Sequence, residues 1–203
     1  MRGMTALAAL LLAACGQPAQ RDHGAADSQL SLTCDAFANA SAASLIAAHG
    51  AGNVVEQTLP GVEGESYTAT VLYPNDPARR IEIVWRDPAA RTGAASVIVA
   101  SPQSRWVGPH ELSIGDGLAD VERANGRPFQ LWGFGWDYGG WVSDWQGGAF
   151  ASTDGCTMRV RFQARSNANT NAVGDAAFMS DDTSVRAADA AVTEFGLMYS
   201  SPQ

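Results

Sequence analysis

Two periodicities divide the chain. Stretches 67–73 (YTATVLY), 81–85 (IEIVW), 96–100 (SVIVA), 158–162 (MRVRF) and 192–199 (VTEFGLMY) are rich in β-branched and aromatic residues and mostly alternate, the period-two pattern of strands. Stretch 129–136 (FQLWGFGW) joins them: as an extended strand it aims Gln130, Trp132, Phe134 and Trp136 to one face and Leu131, Gly133 and Gly135 to the other. Two segments carry helical signals instead. Stretch 41–49 (SAASLIAAH) begins on a capping Ser41 and stops at Gly50. Stretch 116–125 (DGLADVERAN) offers Asp116 as a cap, aligns Leu118, Val121 and Ala124, and stops at Gly126. A further helical turn is predicted within 34–40, and Gly-, Pro- and Asp-rich clusters at 74–77, 87–93, 137–140, 146–148 and 152–155 predict turns.

These elements predict an α+β domain with short helices packed on one face of an antiparallel sheet. The helix ending at Gly50 is followed 31 residues later by the strand at Ile81, and the one ending at Gly126 is followed 32 residues later by the strand at Met158. That spacing suggests two tandem helix-plus-meander repeats, in halves 31–110 and 111–203 of a single globular domain over 31–203.

The first residues follow a different pattern. Met1 and Arg2 precede an apolar run from 5 to 14 that is far shorter than the roughly 20 residues needed to span a bilayer, so 1–14 reads as a signal peptide. The run ends Leu12, Ala13, Ala14, Cys15, which resembles the lipobox of bacterial lipoproteins. The resemblance implies cleavage before Cys15, diacylglycerol on its sulfur and an acylated amino group, hence palmitate-type anchoring of the mature chain. Gly16, where an Asp would signal retention in the inner membrane, implies the outer membrane of a Gram-negative envelope, facing the periplasm. Residues 15–30 are small and polar, as expected of a flexible tether.

An exported chain meets an oxidising compartment, where Cys34 and Cys156 form an even pair and are expected to be disulfide-bonded. Three scattered histidines offer no metal-ligand spacing, and the polar loop with Asn167, Asn169, Asn171 and Asp175 lacks the carboxylates of a calcium loop, so neither metal nor cofactor is expected. A formal charge of −8 argues against a nucleic-acid partner. All 13 basic residues are Arg, which removes Schiff-base and P-loop lysine chemistry. No GxSxG, HExxH or CxxC occurs.

The distinctive feature is aromatic: Trp132, Trp136, Trp141 and Trp145 fall within fourteen positions, with Phe134, Tyr138 and four glycines among them. Either the rings are core, with the glycines permitting a close backbone approach, or they present a platform to a sugar ring or a protein partner. The strand residues Trp132, Phe134 and Trp136 are expected to be core. The turn-side Asp137, Tyr138, Trp141 and Trp145 form the candidate binding surface.

The segment 112–140 (LSIGDGLADVERANGRPFQLWGFGWDYGG), above all NGRPF and GFGWDYGG, resembles a family of uncharacterised bacterial envelope proteins, with similarity over most of 34–165. Its opening, IG and a short helix with Val121, is similar to SmpA/OmlA-type outer-membrane assembly lipoproteins and to β-lactamase-inhibitor-like α+β repeats. The latter two resemblances imply protein binding without catalysis, whereas the first implies no particular activity. The expectation is a non-enzymatic lipid-anchored envelope protein that meets the membrane through Cys15 and engages an envelope protein or a wall glycan. The alternative is a glycan-active hydrolase using carboxylates near the Trp cluster.

Overall fold

The computed structural model describes residues 30–151 and 155–200. The signal peptide, Cys15 and the tether up to residue 29 lie outside the described residues, and Leu30, the tether's last residue, already belongs to the first strand. In chain order the elements are β1 (Leu30–Ser31), α1 (Cys34–Ala38), α2 (Ala42–His49), β2 (Val54–Pro60), β3 (Ser66–Leu72), β4 (Ile81–Asp87), β5 (Thr92–Val99), β6 (Trp106–Val107), α3 (Leu118–Asn125), β7 (Gln130–Trp132), β8 (Val142–Asp144), β9 (Cys156–Gln163), β10 (Ala177–Met179), α4 (Thr183–Arg186) and β11 (Ala191–Tyr199). The fold is α+β, with a six-stranded antiparallel sheet in the order β2-β3-β4-β5-β11-β9, a three-stranded sheet β10-β7-β8 and a parallel pair β1-β6.

The helices form where local chemistry ends them cleanly. Ser41 and Ser44 exchange side-chain and backbone hydrogen bonds at 3.0 Å to cap α2, and Gly50 follows it at φ +83°. At α3 the N-cap is Gly117, whose N–H reaches the Asp120 carboxylate at 3.4 Å. Asp116 stands one residue too early to cap and accepts the Ser113 N–H at 2.8 Å instead.

Strand alternation decides which face is buried. Ile81, Ile83 and Trp85 of β4, Val97 and Val99 of β5, Phe195 and Leu197 of β11 and Met158, Val160 and Phe162 of β9 point to one side of the large sheet and are buried. Against them pack Phe37 of α1, Leu45 of α2, Leu118 and Val121 of α3, and Leu131 of the small sheet, in one continuous core. Each such buried Leu or Phe contributes about 1.5–3 kcal/mol. Cys34 at the start of α1 is disulfide-bonded to Cys156 at the start of β9, with Cα atoms 5.7 Å apart and a sequence separation of 122. Closing so long a loop is worth about 4–5 kcal/mol in the chain-entropy picture.

The two halves are not copies of one unit. The first half supplies four consecutive antiparallel strands, β2 to β5, whereas the second divides its strands between the sheets: β7, β8 and β10 pair among themselves, while β11 and β9 extend the first meander. The predicted strand over 129–136 accordingly ends at Trp132.

One departure from a flat sheet shapes the functional face. β3 pairs with β2 from Ser66 to Leu72 but with β4 only from Thr70 to Leu72. The distal half of the β2–β3 hairpin is thus released from the sheet plane and arches over its outer face. The β11 bulge between Val192 and Glu194 adds curvature on the far side.

Candidate functional site

The outer face of the large sheet is not a plain solvated surface. Glu82 of β4, Ile98 of β5, Glu194 of β11 and Arg159 and Arg161 of β9 project from it, because each alternates with a core residue on its own strand, and Tyr67 of β3 joins them from the released part of the hairpin, between exposed Ser66 and Thr68. The arch of the β2–β3 hairpin, through Pro60, Gly61 and Val62, overhangs Tyr67, Ile98, Arg159, Arg161 and Glu194 together with Trp141 and leaves a groove of about 450 Å³, with Glu82 beside it as the partner of Tyr67. A second depression of about 740 Å³ adjoins it, sharing Arg161 and Glu194 and walled by Phe134, Trp136 and Asp137. Both volumes fall in the range of small-ligand sites.

Two contacts close the roof and wall. At the tip of the arch the Glu63 N–H donates to the Asp137 carboxylate at 2.8 Å. Beneath it, Arg161 donates from Nε to the Gly139 carbonyl at 3.0 Å and from Nη2 to the Asp137 carbonyl at 2.9 Å, pinning the glycine-rich loop to β9. The loop runs so close to β9 that a Cβ on Gly140 would lie 1.9 Å from the Phe162 carbonyl oxygen, and Gly140 also sits at φ +77°. Glycine is required there on both grounds.

Inside the groove the polar groups are unevenly satisfied. Tyr67 Oη donates to Glu82 Oε2 at 2.8 Å, and Arg80 Nη2 donates to Glu82 Oε1 at 3.0 Å, so both oxygens of Glu82 are engaged. Burial, then the bond to Glu82 and the charges of Glu82 and Glu194, push the Tyr67 hydroxyl well above its ordinary range. Arg159 lies with its guanidinium carbon 4.0 Å from the Trp141 ring centroid, and Arg161 stands 5.6 Å from the same ring. The Arg159 Nε is buried without a hydrogen-bond partner, and its Nη2 stands 3.7 Å from Glu194 Oε1, an ion pair too long for a hydrogen bond. Desolvation lowers the Arg159 pKa, with Glu194 opposing the shift. Desolvation raises that of Glu194, with Arg159 and then Arg161 opposing it.

The structure sorts the aromatic cluster differently from the expectation. Trp145 is not a surface residue: it is 6% exposed, its ring packs against Phe129 and Phe150 at 5.1 and 4.8 Å, and its Nε1 donates to the Met158 carbonyl at 3.1 Å. Its indole N–H finds a buried partner, which lets the ring serve as core. Conversely Trp132 and Trp136 are only half-buried, because β7 ends before the ring-bearing face can continue across a sheet, and Leu131 faces the core in their place. Phe134 is buried as expected. Tyr138 is 38% exposed and packs against Trp136 with tilted rings 5.4 Å apart, outside the groove lining. Asp137 and Trp141 both reach the site, Asp137 as the acceptor of the arch and Trp141 as the support for Arg159.

Arg159, Arg161, Glu194, Tyr67 and Glu82 escape a motif search because they come from four strands. A local trace exists nonetheless: MRVRF puts both arginines on the face opposite Met158, Val160 and Phe162, a doubly charged row on a half-buried strand. Among the described residues no cluster of three or more His, Cys, Asp or Glu side chains is placed to hold a metal ion. No family model, curated protein or solved structure matches the chain.

Proposed function

We propose that the protein is a non-enzymatic binding protein of the cell envelope, anchored through lipid on Cys15 to the outer membrane and facing the periplasm, with the groove beneath the β2–β3 arch as its ligand site. The observation that carries this reading is the groove itself: an open depression beneath the arch whose lining brings Trp141 together with Arg159 and Glu194, a partly exposed ion pair 3.7 Å apart. A pair held too far apart to hydrogen-bond, and still accessible, keeps donor and acceptor capacity for a ligand. The resemblance of 12–15 to a lipobox supports the address.

The hydrolase alternative needs a second carboxylate able to exchange a proton beside Glu194. Glu82 has both oxygens engaged by Tyr67 and Arg80, Asp137 is occupied by the arch, and Glu65, the other carboxylate of the groove lining, sits exposed on the arch instead of buried beside Glu194, so binding is the better-supported reading.

Two experiments test it. Cells fed labelled palmitate should label the wild type and not Cys15→Ala, and only the wild type should fractionate with membranes; an unlabelled, soluble wild type overturns the address. A photoreactive residue at Val62, on the arch, should form adducts in cells that the Trp141→Ala/Arg159→Ala variant loses. Adducts that persist unchanged in that variant overturn the groove as the ligand site.

A further inference from the structure

We infer that the ligand of this groove is a neutral saccharide, held by a vicinal diol between Arg159 and Glu194 with its ring beside Trp141 and Tyr67. The inference rests on the groove being the binding site, as proposed above.

The argument starts from what Arg159 lacks. A guanidinium carries five N–H donors in a rigid plane. Here the guanidinium lies 4.0 Å from the Trp141 ring, its Nε is buried out of a ligand's reach, and the donors open to the groove are the terminal nitrogens, of which Nη2 has only the distant Glu194 carboxylate beside it. Its carboxylate neighbour is 3.7 Å away, so the pair is close enough to neutralise charge and too far apart to satisfy hydrogen bonds. The two side chains keep 30% and 21% of their surface exposed, which makes them reachable although largely desolvated. A ligand that fits must accept from Arg159 and donate to Glu194 within the span of one ion pair.

A hydroxyl both donates and accepts. Two hydroxyls on adjacent ring carbons therefore present an acceptor to the guanidinium and a donor to the carboxylate, and the surrounding rings of Trp141 and Tyr67 suit the C–H faces of a pyranose. A groove of about 450 Å³ has room for such a ring and its neighbour.

Charge selects among the alternatives. The lining balances Arg159 and Arg161 against Glu194 and Glu65, and Arg161 is already engaged by the Gly139 and Asp137 carbonyls, so an anion would meet two carboxylates with one arginine free to receive it, on a chain of formal charge −8. A zwitterion would match both partners but would pay to desolvate two charges of its own. A neutral polyol adds no charge and leaves the Arg159–Glu194 pair balanced.

The test uses the full-length lipidated protein in a non-glycosidic detergent, since a sugar-headed detergent would compete. Triacetylchitotriose, maltotriose and mannotriose serve as neutral probes, sialyllactose as the acidic one and dialanine as the zwitterion, each titrated by calorimetry and by quenching of tryptophan fluorescence. At least one neutral trisaccharide is expected to bind with Kd in the millimolar range or tighter. Arg159→Gln and Glu194→Gln should each weaken it at least tenfold while near-ultraviolet circular dichroism remains that of the wild type. Should either variant fail to fold, Trp141→Phe provides the same test through loss of the guanidinium support. Absence of binding to every neutral probe overturns the inference, as does binding indifferent to all three substitutions or confined to sialyllactose or dialanine. If the neutral probes fail while Val62 adducts still depend on Trp141 and Arg159, the saccharide is wrong and the groove stands as a site; if both fail, the groove itself is wrong.

Discussion

The backbone N–H of Glu63 donates to the Asp137 carboxylate at 2.8 Å, joining the tip of the β2–β3 arch to the glycine-rich loop 74 residues further along the chain. Both residues are exposed, and Glu63 adopts a left-handed conformation at φ 55°. This contact is the one described hydrogen bond that ties the arch to the loop, so the position of the arch depends on it.

Asp137→Ala should therefore loosen the arch without unfolding the domain. A solvent-exposed charge-assisted bond contributes roughly 1 kcal/mol. Hydrogen exchange of the Glu63 amide should accelerate, while amides of β4 and β5 keep their protection. An unchanged Glu63 amide would show that the clasp does not form in solution.

The aromatic cluster should separate into core and surface by stability. Trp145→Ala removes a ring packed on Phe129 and Phe150 and orphans the Met158 carbonyl, at a cost of about 3–5 kcal/mol. Tyr138→Ala, outside the core, should stay within about 0.5 kcal/mol. Urea denaturation of the two variants decides the matter, and equal midpoints would refute the assignment.

Two glycines of the same loop give a sharper comparison. Gly135→Ala introduces only the strain of a positive φ, because nothing lies within 4 Å of its Cβ position. Gly140→Ala adds a collision with the Phe162 carbonyl oxygen. The first should cost roughly 1 kcal/mol and the second distinctly more, with displaced amide resonances along β9. A Gly140→Ala protein as stable as Gly135→Ala would mean that the loop does not press on β9.

Glu194 gives a prediction in pH. Burial raises its folded-state pKa above the ordinary value of 4.5, so the native protein holds the proton more tightly than the unfolded chain does. Stability from this group is fully present below the unfolded pKa and is lost as pH rises through the folded one. Relative to Glu194→Gln, the wild type should lose stability between about pH 4 and pH 7, read from denaturation midpoints across that range. A relative gain over the same interval would show that Arg159 and Arg161 outweigh desolvation.

Much of this architecture follows from local chemistry. Ser41 with Gly50 and Leu118 to Asn125 with Gly126 delimit their helices because caps and stops act within one turn. The alternation of 81–85, 158–162 and 192–199 identifies strands and their buried faces because period two is intrinsic to an extended chain, and these elements make the α+β class legible. β2 escapes the same reading: VVEQTLP lies on a sheet edge, where polar residues on both faces erase the alternation. The pairing of Cys34 with Cys156 also matches the even count that remains once Cys15 is set aside, although only packing brings their Cα atoms to 5.7 Å.

What tertiary structure alone decided is how strands are shared between sheets and what their outer faces meet. Trp145 and Trp141 stand four positions apart in one glycine-rich segment, yet one turns into the core to bond the Met158 carbonyl and the other turns out beneath Arg159. No local signal separates them, since the difference lies in how β9 runs past the loop. The groove is of the same kind: Tyr67, Ile98, Glu194 and Arg159 come from four strands, and they share one lining because β3 leaves β4 after three paired residues and folds its hairpin over the sheet. Register and curvature are properties of the assembled sheet, and a side chain's partner across it is not encoded in its neighbours along the chain.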